Sequence, residues 1–233
     1  MGDYWADFSE LFSQYNVIAA FLTTLELSGL AAVGSLVIGT VIAVMRVSPV
    51  PSMRAAGAFY VNTIRNTPLT LIIVFCSLGL FYTMGLSLAD RESPTFLDDN
   101  NLRLAVLGLS VYHAAFVAEA LRSGVNTVPT GQAEAARSIG LGFGQAMRIV
   151  ILPQAFRGAI APLGNALIAL IKNTTVASAI GVAEASALMK TMIEFRPDVI
   201  FAVFLLFALG FVIIVLPTGV LITWASRRLA VQR

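Results

Sequence analysis

Charge is scarce in this chain: Asp, Glu, Lys and Arg make up 12% of its 233 residues, against 58% hydrophobic. A soluble domain carries about 25% charged residues, so a water-facing shell around a single core is excluded. A single polytopic membrane domain over 1–233, with a core of about 17–226, is expected instead. Cysteine is limited to Cys76, which rules out an intrachain disulfide and a cysteine metal cluster. The one histidine, His113, has no ligand spacing to Cys, Asp or Glu, so it reads as a helix contact and no metal site is assigned. No Gly-x-x-x-x-Gly-Lys-[Ser/Thr] phosphate loop occurs, and neither does a Gly-x-Ser-x-Gly elbow, a His-Glu-x-x-His pair or a carboxylate cluster. Phosphate-loop ATP hydrolysis and hydrolytic catalysis therefore have no residues here, and no catalytic residue is assigned. A basic, aromatic-rich surface is also missing, which excludes a nucleic-acid partner. The first fifteen residues are acidic and polar, with Asp3, Asp7 and Glu10. They lack the basic start and short apolar core of a cleaved signal peptide.

Long apolar runs dominate the rest. A lipid-crossing helix needs about 20 mostly apolar residues, and five segments qualify: Phe21 to Met45, Thr67 to Ala89, Leu104 to Leu121, Ala159 to Val182 and Val199 to Ala225. The expected fold class is thus an all-α membrane protein of five transmembrane helices. The segment after the first span holds Arg46, Arg54 and Arg65 and no acid, while the loop after the second carries Asp90, Glu92, Asp98 and Asp99 against Arg91 and Arg103. Arg122, Arg137, Arg148 and Arg157 follow the third span, and Arg227, Arg228 and Arg233 close the chain. Basic loops alternate with acidic or mixed ones, which places the N-terminus outside and the C-terminus in the cytoplasm. Between the fourth and fifth spans, Glu184 to Arg196 has Leu188, Met192 and Phe195 at helical spacing. A short helix at the outer surface is expected there.

A polar island, Glu134 to Pro153, interrupts the hydrophobic pattern on the cytoplasmic side, within a loop of about 127–157. Pro129-Thr130-Gly131 breaks the preceding helix, with Thr130 as the expected N-cap of a turn carrying Glu134, Ala135, Ala136 and Arg137. Gly140, Gly142 and Gly144 let the backbone reverse before a second helix from Gln145 to Leu152, which Pro153 is expected to end. Two short helices with small, polar faces suit docking into a groove on a soluble partner better than packing in lipid. Glu134 is expected to orient this loop through hydrogen bonds.

The order Glu-Ala-Ala, three residues, Gly140, nine residues, Val150-Ile151-Leu152-Pro153 resembles the "EAA" loop of bacterial ABC-importer permeases, with Val150 where that family usually has Ile. Arg65-Asn66-Thr67-Pro68-Leu69, Ala118-Glu119-Ala120-Leu121-Arg122-Ser123-Gly124 and Lys172-Asn173-Thr174-Thr175 look like further signatures of the polar-amino-acid permeases, in the same order. Across its length the chain looks most like actinobacterial glutamate ABC-importer permeases, notably at Arg46-Val47-Ser48-Pro49-Val50 and Gly131 to Ser138. Asn66 and Ser123 stand where the wider family often has Gly. The resemblance implies the type I ABC-importer permease fold in a bacterial plasma membrane. It implies ATPase-coupling residues Glu134, Ala135, Ala136, Arg137, Gly140, Leu152 and Pro153. The partners it implies are separate ABC ATPase subunits that use ATP and Mg, a second permease subunit in a hetero- or homodimer, and an external amino-acid-binding protein. This chain itself binds no cofactor. Glutamate is the implied solute, with glutamine, aspartate or arginine as alternatives and an ion-coupled secondary transporter as the other class.

A charged group inside the spans costs about 2.5–3.5 kcal/mol at the bilayer centre, so each needs a partner or a wet cavity. Glu119 and Arg122 are three residues apart and share a helical face. They read either as an intrahelical ion pair or as a path along which Glu119 meets a solute ammonium. Lys172 lies roughly 20 Å along its helix from Ala159. It either snorkels outward or joins Asn173, Thr174 and Thr175 in a polar patch suited to carboxylates. Asn66 and Thr67, at the start of the second span, complete the expected substrate path. Glu26 reads as interfacial, and Arg65 as a positive-inside residue or a gate.

Overall fold

The computed structural model describes residues 14–229. The acidic stretch with Asp3, Asp7 and Glu10, and Arg233 of the basic tail, lie outside the described residues. The long helices are α1 (Val17–Val47), α4 (Phe96–Val125) and α10 (Ile200–Leu229). Between α1 and α4 come α2 (Pro51–Arg65) and α3 (Leu69–Val74), the latter continued by wide π-helical turns over Phe75–Thr83. After α4 follow α5 (Thr130–Ser138), α6 (Phe143–Ala146), a π-helical turn (Met147–Ile151) and α7 (Leu152–Gly158). Then come α8 (Ile160–Asn173), a 3-10 segment (Thr174–Ile180), α9 (Ala185–Phe195) and a 3-10 turn (Pro197–Val199). Among the described residues four stretches are long and apolar enough to cross a membrane: Val17–Val47, Phe96–Val125, Ile160–Ile180 and Pro197–Leu229. A fifth is present if α2 and α3, broken at Asn66–Pro68, count as one span.

The chain divides into two compact units, so that α1, α4, α8 and α10 each contribute to both. One unit holds the chain up to Ala31, Leu69–Leu109 and Leu170–Pro217. Its core gathers Val17, Ala185, Met192, Val199, Val203 and Phe207, with Phe21 stacked on Phe207 at 5.6 Å between ring centroids. Hydroxyls inside it stay satisfied: Thr24 Oγ1 donates to Ala20 O at 3.1 Å and accepts from Ala185 N at 3.1 Å. The other unit holds Ala32–Pro68, Ser110–Ala169 and the chain from Thr218. Its core is Ala43, Val61, Ala115, Val117, Ala118, Leu121 and Ala159, all small or medium apolar side chains that let helix backbones approach.

Several boundaries differ from the sequence expectation, each for a local reason. The expected second span does not qualify alone: its helical stretch ends at Thr83, not Ala89, and passes only together with Pro51–Arg65, from which it is bent by 102°. Gly85 takes φ +73° and turns the chain beyond it. The third begins at Phe96, eight residues before Leu104, since Asp98 and Asp99 in the first turn favour a helix N-terminus. The fourth keeps the expected interruption, tightening to 3-10 geometry at Thr174. Thr130 is not an N-cap but lies inside α5: Pro129 holds the cap position, and its carbonyl accepts from Gln132 N at 3.0 Å. Pro153 begins α7 instead of ending a helix, because the first turn has no use for its missing N–H. The π-helical turn before it absorbs the register change, with Leu152 N donating to Met147 O. The expected helix at Glu184 to Arg196 is α9; Leu188 and Met192 face the core, whereas Phe195 is exposed.

Candidate functional site

The docking loop is built by its backbone. Past Ser138 the end of α5 forms a closed C-terminal motif, in which Gly140 N donates to Arg137 O at 2.9 Å and Leu141 N to Ala136 O at 3.1 Å. These two bonds satisfy carbonyls that a helix end leaves open, and they require a left-handed residue between them. Gly140 supplies it at φ +87°. Gly142 and Gly144 do not share that duty: Gly142 caps α6 at φ −66°, and Gly144 lies within that helix. Gln145 Oε1 accepts from Gly142 N at 3.0 Å and fixes the start of α6. On α5, Glu134, Ala135 and Arg137 are exposed and Ala136 is buried. The Glu134 carboxylate makes no hydrogen bond among the described residues, so the turn, not Glu134, orients the loop. Pro153 is exposed and Leu152 half-buried.

The same unit brings Glu119 together with two arginines from other helices. Glu119 Oε1 accepts from Arg46 Nη1 and stands 3.9 Å from Arg65 Nη1. The Arg46 side chain is 9% exposed, Glu119 35% and Arg65 46%. The Arg65 guanidinium also sits 5.5 Å from the Phe116 ring centroid, a cation–π arrangement. Arg122, the expected intrahelical partner, is exposed and forms no ion pair among the described residues. Sequence spacing missed Arg46 because it weighed only neighbours on one helix, and the contact joins residues 73 apart. Next to this cluster, Asn66 Nδ2 donates to Asn62 O at 2.7 Å and Thr67 Oγ1 to Thr63 O at 2.9 Å. Both side chains thus cover carbonyls at the end of α2, where Pro68 stops the helix.

The α4 end meets α7 at a crossing that only a bare backbone allows. A Cβ added at Gly124 would lie 2.1 Å from Ala155 O, and that carbonyl belongs to rigid helix. Gly124→Ala should therefore lower stability by about 1–3 kcal/mol, read as an earlier unfolding midpoint in detergent; an unchanged midpoint would contradict the crossing.

In the other unit, Lys172 is exposed and its ammonium makes no ion pair among the described residues. With Thr175 it lines a cavity of 470 Å3 otherwise walled by Phe211, Val212, Val215 and Leu216. The hydroxyls nearby are turned inward: Thr174 Oγ1 donates to Ile171 O at 2.8 Å and Thr175 Oγ1 to Lys172 O at 2.9 Å. Thr174 is fully buried, so the polar patch in this cavity is Lys172 with Thr175. Asn173 is half-buried. Glu184, a residue sequence inspection treated as part of a surface connector, is fully buried. Its carboxylate caps α9, accepting from Ser186 N at 2.8 Å and Ala187 N at 2.9 Å. The signal for it was present in the acidic residue just before Ala185-Ser186.

Residues 35–231 match the family described as the binding-protein-dependent transport system inner membrane component. The chain is 54% identical over 233 residues to the glutamate transport system permease protein GluC of Corynebacterium glutamicum, with 100% of both covered. It is 35% identical over 224 residues to the probable glutamine ABC transporter permease protein GlnM of Bacillus subtilis, covering 95% of this chain and 97% of that relative. Among solved structures, an amino acid ABC transporter crystallised with histidines matches at TM-score 0.73 and 28% identity, covering 95% of this chain and 97% of that one.

Proposed function

The chain belongs to the family of binding-protein-dependent transport system inner membrane components, and from that premise we propose that it is the permease of an ATP-driven glutamate importer. It is a transport subunit and not an enzyme; ATP hydrolysis resides in a separate chain. The full-length similarity to a glutamate transport permease carries the choice of solute. Its partners are ATPase subunits that use ATP and Mg, a second permease, and an external binding protein. The single membrane domain spans 1–233, with its N-terminus outside and its C-terminus in the cytoplasm, and the loop of about 127–157 meets the ATPase. That orientation is supported by the arginine-bearing segments around α2 and α5 to α7.

Mechanically, ATP binding closes the ATPase pair and moves the exposed face of α5, with Glu134, Ala135 and Arg137. The spans then alternate between outward- and inward-open states. Solute passes Lys172, whose ammonium provides a charge-assisted contact for a carboxylate. Lys172→Gln should weaken glutamate uptake about tenfold, the loss of roughly 1.4 kcal/mol, with ATP hydrolysis less affected. Equal loss with glutamine as solute would count against side-chain carboxylate recognition. The test of solute identity is competition: labelled glutamate uptake into proteoliposomes, with the cognate binding protein, challenged by unlabelled glutamate, glutamine, aspartate and arginine. Glutamate should compete best. Stronger competition by glutamine would transfer the assignment to the reading that the 35% identical relative supports.

A further inference from the structure

The unit that carries the docking loop also holds a cavity of 990 Å3. Val47, Val125, Leu141, Met147 and Ile151 give it apolar walls, and Arg54 and Arg137 are the charged residues among its lining. No carboxylate lines it. Arg54 is held by one nitrogen: Nη1 donates to Ser48 O at 2.8 Å and Pro49 O at 2.9 Å. Its Nε and Nη2 donors have no partner among the described residues, and the Arg137 guanidinium has none either. Guanidinium forks of this kind match oxyanions. A small soluble anion would leave the apolar walls wet, and a neutral apolar molecule would make no use of the two exposed guanidinium groups. An anionic headgroup attached to acyl chains satisfies both.

We propose that this cavity binds an anionic phospholipid, its phosphate at Arg54 and Arg137 and its acyl carbons along Val47, Val125, Leu141, Met147 and Ile151. The proposal rests on the orientation given above, which places these residues at the cytoplasmic surface, where anionic lipids and basic pockets meet. Arg137 is part of α5, so the bound lipid touches the docking helix itself.

The test uses the assembled transporter, with ATPase and second permease, in nanodiscs containing equal phosphatidylglycerol and phosphatidylcholine, followed by native mass spectrometry of retained lipid. Phosphatidylglycerol should be retained preferentially. Arg54→Gln should reduce that preference about fivefold, the equivalent of ~1 kcal/mol per basic residue. Val125→Trp, which fills the cavity, should abolish retention in complexes that remain assembled. Equal retention of both lipids, or retention unmoved by either substitution, overturns the proposal. So does a photoreactive residue at position 128 that captures the ATPase or the second permease in place of lipid. Glutamate uptake by the unsubstituted complex is measured in the same preparation: transport without lipid retention sinks the lipid site alone, and lipid retention without transport sinks only the transport assignment.

Discussion

Glu134→Lys should cut ATP-driven uptake about 30-fold, the ~2 kcal/mol of a strong interface contact, while leaving the chain inserted in the membrane. Glu134 is exposed and bonded to nothing among the described residues through its side chain, so reversing its charge perturbs an interface and not the fold. Gly140→Val should reach a similar loss by a different route. At φ +87° a Cβ costs about 1–2 kcal/mol, and a β-branched residue tolerates that region least. The two bonds from Gly140 N and Leu141 N would then break, releasing α5 from the turn that orients it. Gly140→Asn, which accepts a left-handed backbone more readily, should recover part of the activity. Uptake assays in proteoliposomes, with membrane insertion measured alongside, check both. Full activity in Glu134→Lys and Gly140→Val would remove the docking role from this loop.

Removing the Glu119 carboxylate should markedly lower stability. Glu119→Ala strands Arg46, whose side chain is 9% exposed, without its acceptor. Breaking a buried pair costs about 3–5 kcal/mol, and because Glu119 is 35% exposed a loss of about 2–3 kcal/mol is expected. The amount of folded chain in detergent should fall, and Arg46→Met combined with Glu119→Ala should restore much of it, since neither charge then remains buried. By contrast Arg65→Ala should change stability by about 0.5 kcal/mol or less, because Arg65 is 46% exposed and stands 3.9 Å from the carboxylate. Thermal unfolding of the purified chain decides this. A Glu119→Ala chain that is as stable as the parent but fails to transport would instead assign Glu119 to the solute path.

Apolar run length was enough to read a helical membrane protein and four of its spans, the second expected one qualifying only with α2, and Gly140 was legible as the point of reversal. What could not be read depends on hydrogen bonds closed by geometry. Pro153 looked like a helix stop, because the sequence does not display the π-helical turn that lets it start α7. The Glu119–Arg46 pair joins helices far apart in sequence, so a rule of three and four residues pointed to Arg122 instead. Asn66, Thr67, Thr174 and Thr175 looked like free polar groups for a solute, yet their hydrogen bonds go to carbonyls of their own turns. Short polar side chains in apolar helices often bond backward in this way. Lys172 is the exception: its ammonium makes no hydrogen bond among the described residues, and it lines a cavity.

The measurement that reaches furthest is uptake of labelled glutamate into proteoliposomes carrying this chain, its second permease and the ATPase, with binding protein supplied outside. Uptake should require internal ATP and the binding protein, survive a proton ionophore, and fall about 30-fold with Glu134→Lys. Uptake that continues without the ATPase and collapses when the proton gradient is dissipated would contradict an ATP-driven permease coupled through Glu134 to Pro153.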